Sequence, residues 1–401
     1  MANTVQQAAA TQTLNAQPST DRTIADVAVI GAGLAGLICA QRLQQAGLRV
    51  IVVEKSRGLG GRMATRRLPN SHADHGVRYL DAQGLLTQQL IDRCSAHQIL
   101  QPWLDRIHIF DRTGLHPSQP QARYAAKLGI TAVAKALGSG LEIWRGQRVQ
   151  VVTTTPESLW NLRLEPVGEQ AFPPLSAKSL VMTIPAPQAL TLLEPLLQQG
   201  LVPELVQRVR SVQFAPCITA IAAYAAAQRS IAATSPWQAV RFLDDPDLDW
   251  VAIDSSKQPE APDPVVVVQS SPRLAQDHLE TADLQPIGQH LLDRAAHALA
   301  PWLASPAILQ VHRWRYAFAS QSLSDHCIAT EDPLPLVCGG DWCGGNDIES
   351  ALRSGVSAAE QIALCLQGAS LQTASFQVAN LSNLEIAAML AEIIAGIGKN
   401  N

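Results

Sequence analysis

The sequence predicts an α/β fold in which a parallel, dinucleotide-binding sheet is interrupted by an inserted α+β domain. Three observations predict it. Near the start, the apolar run Val27 to Ile30 leads into Gly31, Gly33 and Gly36, in G-x-G-x-x-G spacing, at the opening of an apolar helix. More than 300 residues later, the chain returns to a second glycine-rich stretch, Gly339-Gly-Asp-Trp-Cys-Gly-Gly345. Between them, residues 186 to 330 alternate helical and strand patterns around Pro-rich loops, which marks a second domain.

Taken in order, residues 1 to 22 open on Ala, Gln, Thr and Asn, and a disordered tail is expected there. Val27 to Ile30 reads as a buried parallel strand. Gly31 permits the tight turn, Gly33 lets backbone amides approach a pyrophosphate at the positive end of the helix, and Gly36 lets helix and strand pack closely. A second strand, Arg49 to Val53, ends in Glu54, 18 residues beyond Gly36, where a carboxylate can accept both ribose hydroxyls of an adenosine. The loop from Lys55 to Arg67 carries three glycines and five cationic side chains in thirteen residues, so it suits wrapping a phosphate or being a solvated basic loop. Ala73 to Leu80 reads as a turn into a strand.

Strand patterns at Leu141 to Trp144, Val149 to Thr153, Leu159 to Leu164 and Ser179 to Thr183 complete the nucleotide domain, with Val149 near an adenine. The insert has helices at about 186 to 198 and 284 to 300, and strands at 215 to 224, 250 to 254, 265 to 269 and 308 to 318. The return at Leu336 to Gly339 finishes the nucleotide site and leads to a helix at about Asp347 to Leu366. The expected division is 23–90, 140–185 and 331–367 for the nucleotide domain, with 91–139 and 186–330 for the substrate domain. After a linker from 368, Ser382 and Glu385 form a capping box, and Ile386, Leu390, Ile393, Ile394 and Ile397 share a helical face. That face needs its own domain, a second copy of the chain in a homodimer, or a membrane surface as partner.

Composition narrows the partners. A net charge of −4 and a pI near 6.2 give no electrostatic argument for nucleic acid or an anionic membrane. Residues 1 to 20 lack a basic and an apolar segment of signal type, and the uncharged run Phe214 to Gln228 is too short to span a bilayer. Seven cysteines without a C-x-x-C pair read as reduced residues of a cytoplasmic protein, and Cys338 and Cys343 lack the histidine that a zinc site would want, so no metal is expected.

The motifs, taken together, carry a resemblance. Gly31-Ala-Gly33-Leu-Ala35-Gly36, Glu54-Lys55-Ser-Arg-Gly58, Gly60-Gly61-Arg62-Met63 and Asp74-x-Gly76 are joined by Ile184-Pro-Ala-Pro-Gln188, His312-Arg-Trp-Arg-Tyr-Ala317, the Cys338 to Gly345 segment, Ile348-Glu349-Ser350 and Ser354-Gly355. In this order, over residues 25 to 366, the chain resembles the renalase-like branch of the FAD-dependent amine oxidase superfamily. The resemblance implies a Rossmann-type FAD-binding domain with an inserted α+β substrate domain, in the p-hydroxybenzoate hydroxylase-like two-domain topology. It implies non-covalent FAD held by Gly31, Gly33, Ala35, Gly36, Glu54, Lys55, Gly61 and Arg62. Asp341 would lie by the ribityl and phosphate region, and the helix entered at Ile348 would face the flavin's pyrimidine edge. Arg78 and Tyr79 stand in the family's D-x-G-A-Q-Y segment, close to the flavin, where Val77 and Arg78 depart from the pattern.

The implied reaction is oxidation of isomeric 2- and 6-dihydro-NAD(P) by hydride transfer to flavin, with O2 then giving hydrogen peroxide. A nicotinamide-nucleotide-like small molecule would be the substrate. Amine oxidation, carotenoid-type oxidoreduction and a non-catalytic scaffold share the same fold. On the substrate side, alternation along a strand puts His312, Trp314 and Tyr316 on one face and Arg313 and Arg315 on the other. His312, Trp314 and Arg315 are candidates for stacking an aromatic substrate and gripping its anionic groups, or the aromatics are core. Lys257 is read as a flavin-proximal lysine or as a surface-loop lysine.

Overall fold

Four consecutive apolar residues suit only a strand covered on both faces, and Val27, Ala28, Val29 and Ile30 are all buried in the strand Thr23–Ile30. The structure, a computed structural model, describes residues 23–167, 172–258, 261, 263–366, 388, 391 and 392. Thr23–Ile30 pairs in parallel with Val50–Glu54 on one side and Leu175–Met182 on the other. Glu142–Arg145 extends the first side in parallel. Leu175–Met182 shares its far edge between two partners. Its first residues pair antiparallel with Trp160–Pro166, and Leu180 to Met182 pair in parallel with Leu336–Cys338. Gln147–Thr154 and Ile328–Thr330 complete this eight-stranded sheet. Both glycine-rich stretches therefore leave the same edge of one sheet.

Local chemistry sets the turns. Gly31 has φ of +107°, and a Cβ on Gly36 would stand 2.0 Å from the carbonyl oxygen of Gly31, so the turn and the helix after it each require glycine. The helix Leu34–Gln45 packs against Ile348–Leu366 on one face of the sheet, with Leu37, Ile38, Leu352 and Val356 fully buried between them. The expected helix from 186 divides instead. Ala186–Leu193 is α-helical, and Glu194–Gln199 is a 3-10 turn, because Pro195 has no N–H for the α-helical ladder.

A seven-stranded sheet forms the second layer, in the order Ile308–Gln321, Gln213–Ala223, Val265–Ser270, Leu248–Ile253, Ala239–Phe242, His108–Asp111 and Gly114–Pro117. Its core lies under the helix Gln285–Ala298, where Ile218, Val251, Leu291 and Leu292 are buried. Residues 91–139 serve both layers. His108–Asp111 pairs into the seven-stranded sheet, whereas Cys94, Val133, Ala134 and Leu137 pack into the core shared with the helix Leu34–Gln45. The amphipathic segment at 382–397 falls outside the described residues except for Ala388, Ala391 and Glu392, of which Glu392 accepts a bond from Arg42 at 3.2 Å. Among the described residues no helix is long and apolar enough to cross a membrane, and no group of side chains could hold a metal ion.

The two sheets are joined at a short ribbon, Thr65–Arg67 paired with His72–Asp74. The carboxylate of Asp74 accepts from the Thr65 hydroxyl and the Ile130 amide, each at 2.8 Å, and from Lys257 Nζ at 3.0 Å. Lys257 also pairs with Asp254 at 2.6 Å, and Asp254 accepts the Asp74 amide at 2.9 Å. All three charged side chains are at most 3% exposed. Burial pushes the Lys257 ammonium pKa down, but the Asp254 and Asp74 carboxylates more than offset it and hold the lysine charged.

Two stability outcomes follow from this packing. A Cβ on Gly355 would lie 2.5 Å from the carbonyl oxygen of Ala35 and 3.0 Å from Ile38 Cβ. Gly355→Ala should therefore lose about 1–3 kcal/mol in urea denaturation, overriding the roughly 1 kcal/mol that alanine gains in helix propensity. Lys257→Met leaves two carboxylates buried without a cation, and a loss of about 3–5 kcal/mol is expected by the same measurement. An unchanged midpoint in the second variant would count against the triad as the joint between the layers.

Candidate active site

The helix Leu34–Gln45 begins at Gly33 with no side chain capping its amides, and a Cβ placed on Gly33 would meet nothing within 4 Å. Helix amides turned to open space form an anion site. The second loop closes on it. Gly33 and Gly60 form a parallel bridge, the Gly60 amide donates to the Ala32 carbonyl at 2.8 Å, and a Cβ on Gly61 would lie 3.5 Å from Gly33 Cα. Glu54 is buried at the end of its strand, where its two oxygens accept the amides of Ala32 and Ser56, each at 2.8 Å. Each oxygen keeps a lone pair for a further donor, as a ribose diol would supply. Ser56 in turn accepts the Gly146 amide at 3.1 Å, which brings the buried Val149 strand beside this loop. Lys55 is exposed, with Gln188 Oε1 3.4 Å from its ammonium.

Arg62 draws three separated segments together. Its Nη2 donates to Asp341 at 2.5 Å and its Nη1 to the Ala317 carbonyl at 3.1 Å. The Gly339 to Gly345 segment is fastened on both sides. The Gly340 amide donates to Ser354 Oγ at 2.8 Å, and the fully buried Trp342 donates to the Ile184 carbonyl at 3.2 Å. Ile348 then opens the helix, whose Ser350 amide is capped by Asp347 at 2.8 Å. Glu349 reaches across to accept the Thr87 amide and hydroxyl at 2.8 and 2.9 Å, which fixes this helix to Leu85–Ala96.

Beside the Arg62 loop, across Gly76, the site presents an aromatic face. Trp314 stacks on His75 with centroids 5.2 Å apart, and His312 meets both rings at 4.4 and 4.8 Å. Trp314 Nε1 donates to the His75 carbonyl at 2.8 Å, and Thr219 donates to the same oxygen at 3.1 Å. Burial drives both imidazoles neutral: from an ordinary 6.5, His75 falls to about 3 and His312 to about 4, with Arg66 adding to the effect on each. The result is an uncharged aromatic face, with His75 and Trp314 stacked and His312 edge-on to both.

The structure brings His312 and Trp314 together as expected and adds His75, the unspecified position of the Asp74-x-Gly76 motif. Its signal was the position between Asp74 and Gly76. Other expectations need correction. Lys257 is not on a surface loop: it is buried, with its ammonium paired to Asp74 and Asp254. Arg78 and Tyr79 are turned into the second layer. Arg78 pairs with Asp249, donates to Gln269 at 2.5 Å and lies 4.8 Å over Trp250, while Tyr79 packs against Trp103 and Trp250. Arg315 forms a two-pronged pair with Glu280 at 2.5 and 3.0 Å on the exposed side, as alternation predicts, and not a contact with the aromatic trio. Tyr316 leaves the His312 face, because a register shift between Ala215 and Cys217 breaks the alternation. It packs instead on Phe214 and shares a cavity of about 420 Å³ with Arg315.

These features agree with what the chain is similar to. Residues 29–94 match a family model described as an NAD(P)-binding Rossmann-like domain. Residues 108–363, more than half of the chain, match one described as flavin containing amine oxidoreductase. Among curated proteins, the FAD-dependent oxidoreductase oblC of Cochliobolus heterostrophus is 47% identical over 62 residues, a stretch that is 16% of this chain and 12% of that protein. Solved structures of putrescine oxidase (14% identity, TM-score 0.60, 86% of this chain and 100% of that one) and of cyclohexylamine oxidase from Brevibacterium oxydans IH-35A (13%, 0.62, 86% and 99%) share the fold. Open glycine space at uncapped helix amides, an acid with spare lone pairs and a nearby arginine fit the diphosphate and ribose of FAD. The chain thus belongs to the flavin-containing amine oxidoreductase family and is an FAD-dependent oxidoreductase.

Proposed function

We propose that this enzyme is a renalase-like oxidase of isomeric 2- and 6-dihydro-NAD(P), built on the p-hydroxybenzoate hydroxylase-like topology with the domain division expected from the sequence. FAD would be held by Gly31, Gly33, Ala35, Gly36, Glu54, Gly61 and Arg62, with Asp341 and the amide end at Ile348 on its flavin side. When bound, FAD supplies a hydride acceptor that O2 can reoxidise. The chain's own residues then have to position a flat donor ring and exclude water.

The observation that carries this reading is the aromatic cluster of His75, Trp314 and His312 with both imidazoles neutral. Oxidising a dihydronicotinamide isomer restores an aromatic pyridinium and needs no base to take a proton from carbon. A neutral ring surface is sufficient for it. A free carboxylate would favour an ammonium substrate, and the carboxylates of Asp74 and Asp254 are both engaged by Lys257. The seven free cysteines fit a cytoplasmic setting.

Two outcomes are expected. Anaerobic mixing of the FAD-loaded protein with 2- or 6-dihydro-NAD(P) should bleach the visible flavin band within a turnover time, while primary amines leave it unchanged; rapid bleaching by amines alone would overturn the substrate assignment. The second concerns pH. In the unfolded chain the two histidines protonate near 6.5, whereas in the fold they resist protonation down to about 3 and about 4. Their stabilisation is therefore present above 6.5 and is lost as pH falls toward 4. The melting temperature should drop over that window, the His75→Leu, His312→Leu double variant should flatten the drop, and kcat/KM of the parent should show no acid limb at 6.5.

A further inference from the structure

Nearly every cation around the site has an internal partner. Arg62 is held by Asp341, Arg78 by Asp249, Arg313 by the carbonyls of Leu279 and Thr281, Arg315 by Glu280, and Lys257 by two aspartates. Arg66 differs: it is exposed, and among the described residues its guanidinium makes no hydrogen bond or ion pair.

The ribbon fixes where Arg66 stands. It lies directly opposite Ala73, and opposed residues of an antiparallel pair project to the same side. Ala73 is fully buried in a cluster with Ile221 and Val267, on the face of the seven-stranded sheet that meets the ribbon. Ile221 pairs with Gln310 on the edge strand, and two residues back Thr219 pairs with His312. Arg66 therefore projects toward the Gln310–His312 edge of the aromatic trio. Arg67, opposite His72, projects to the other side of the ribbon. Thr65 and Asp74 also lie on that other side, where the Asp74 charge is already met by Lys257.

We propose that Arg66 is the anion anchor of the substrate site, holding a phosphate of a nicotinamide nucleotide whose ring lies against His312 and Trp314. The inference rests on the dihydronicotinamide reading above and makes it more specific: the preferred substrate is the phosphorylated nucleotide, not the bare riboside. A planar guanidinium with its donors unpaired matches a phosphate in a two-pronged contact. A solvent-facing anchor beside a neutral ring surface also separates the two tasks of recognition and ring placement.

The test uses the FAD-loaded full chain, as parent, Arg66→Gln and Arg66→Lys. With 6-dihydronicotinamide mononucleotide, Arg66→Gln should raise KM by about tenfold or more at unchanged kcat, and Arg66→Lys should recover part of the loss. With 6-dihydronicotinamide riboside, which has no phosphate, all three proteins should share one KM. An equal rise for both compounds, or none for either, overturns the anchor. Inorganic pyrophosphate is the second probe, read without turnover as quenching of tryptophan fluorescence. It should bind the parent and lose binding in Arg66→Gln, and equal binding to both overturns the anchor whatever the turnover data. Failure of both dihydro compounds to reduce the parent, with pyrophosphate binding still dependent on Arg66, would sink the substrate reading and leave the anchor standing.

Discussion

The carboxylate of Asp74 ties together three distant parts of the chain. It takes the Thr65 hydroxyl, the Ile130 amide and the Lys257 ammonium, while the backbone amide of the same residue donates to Asp254. A buried charge with unmet lone pairs is costly, so this geometry can persist only when all the partners are present together. His75 follows immediately, and its carbonyl is gripped by Trp314 and Thr219. The position of the aromatic trio is thus set by an ion cluster one residue away. The cluster contributes orientation more than net stability, since a buried pair roughly cancels its own desolvation.

The site that results is unusual in how its charge is arranged. Formal charges are numerous around it, and those of Arg62, Arg78, Arg315 and Lys257 are met by carboxylates before reaching the aromatic surface, which leaves Arg66 as the cation that acts on it. What remains at that surface is shape and polarisability, together with the backbone donors at Gly33, which no side chain caps. Such a surface favours a planar ligand that changes its charge during reaction, because no fixed counter-charge has to be reorganised.

The nucleotide half was largely legible from sequence because its signals are local. A buried strand, three spaced glycines and an acid at the next strand end lie within about thirty residues, and each constrains the backbone directly. The inserted half was legible as strands and helices but not as contacts. Lys257 sits in a four-residue 3-10 turn with Asp and two Ser, a composition of solvated loops, and its burial is tolerable because Asp254 of the same turn is joined by the carboxylate of Asp74, 183 residues away. Arg78 misled for a similar reason: its position in a cofactor motif outweighed the distant Asp249 and Trp250 that claim it. Tyr316 was misassigned by strict alternation, which a single bulge opposite Pro216 undoes.

The strand Leu175–Met182 has a consequence for how the molecule is made. Its edge at Leu180 to Met182 is closed by Leu336–Cys338, about 150 residues later in the chain. During synthesis on the ribosome, that buried and wholly apolar edge stays unpaired while the entire inserted layer is translated. An open apolar strand edge is an invitation to pair with a neighbouring chain. The inserted layer therefore also lengthens the interval in which the nascent chain carries one strand edge uncovered.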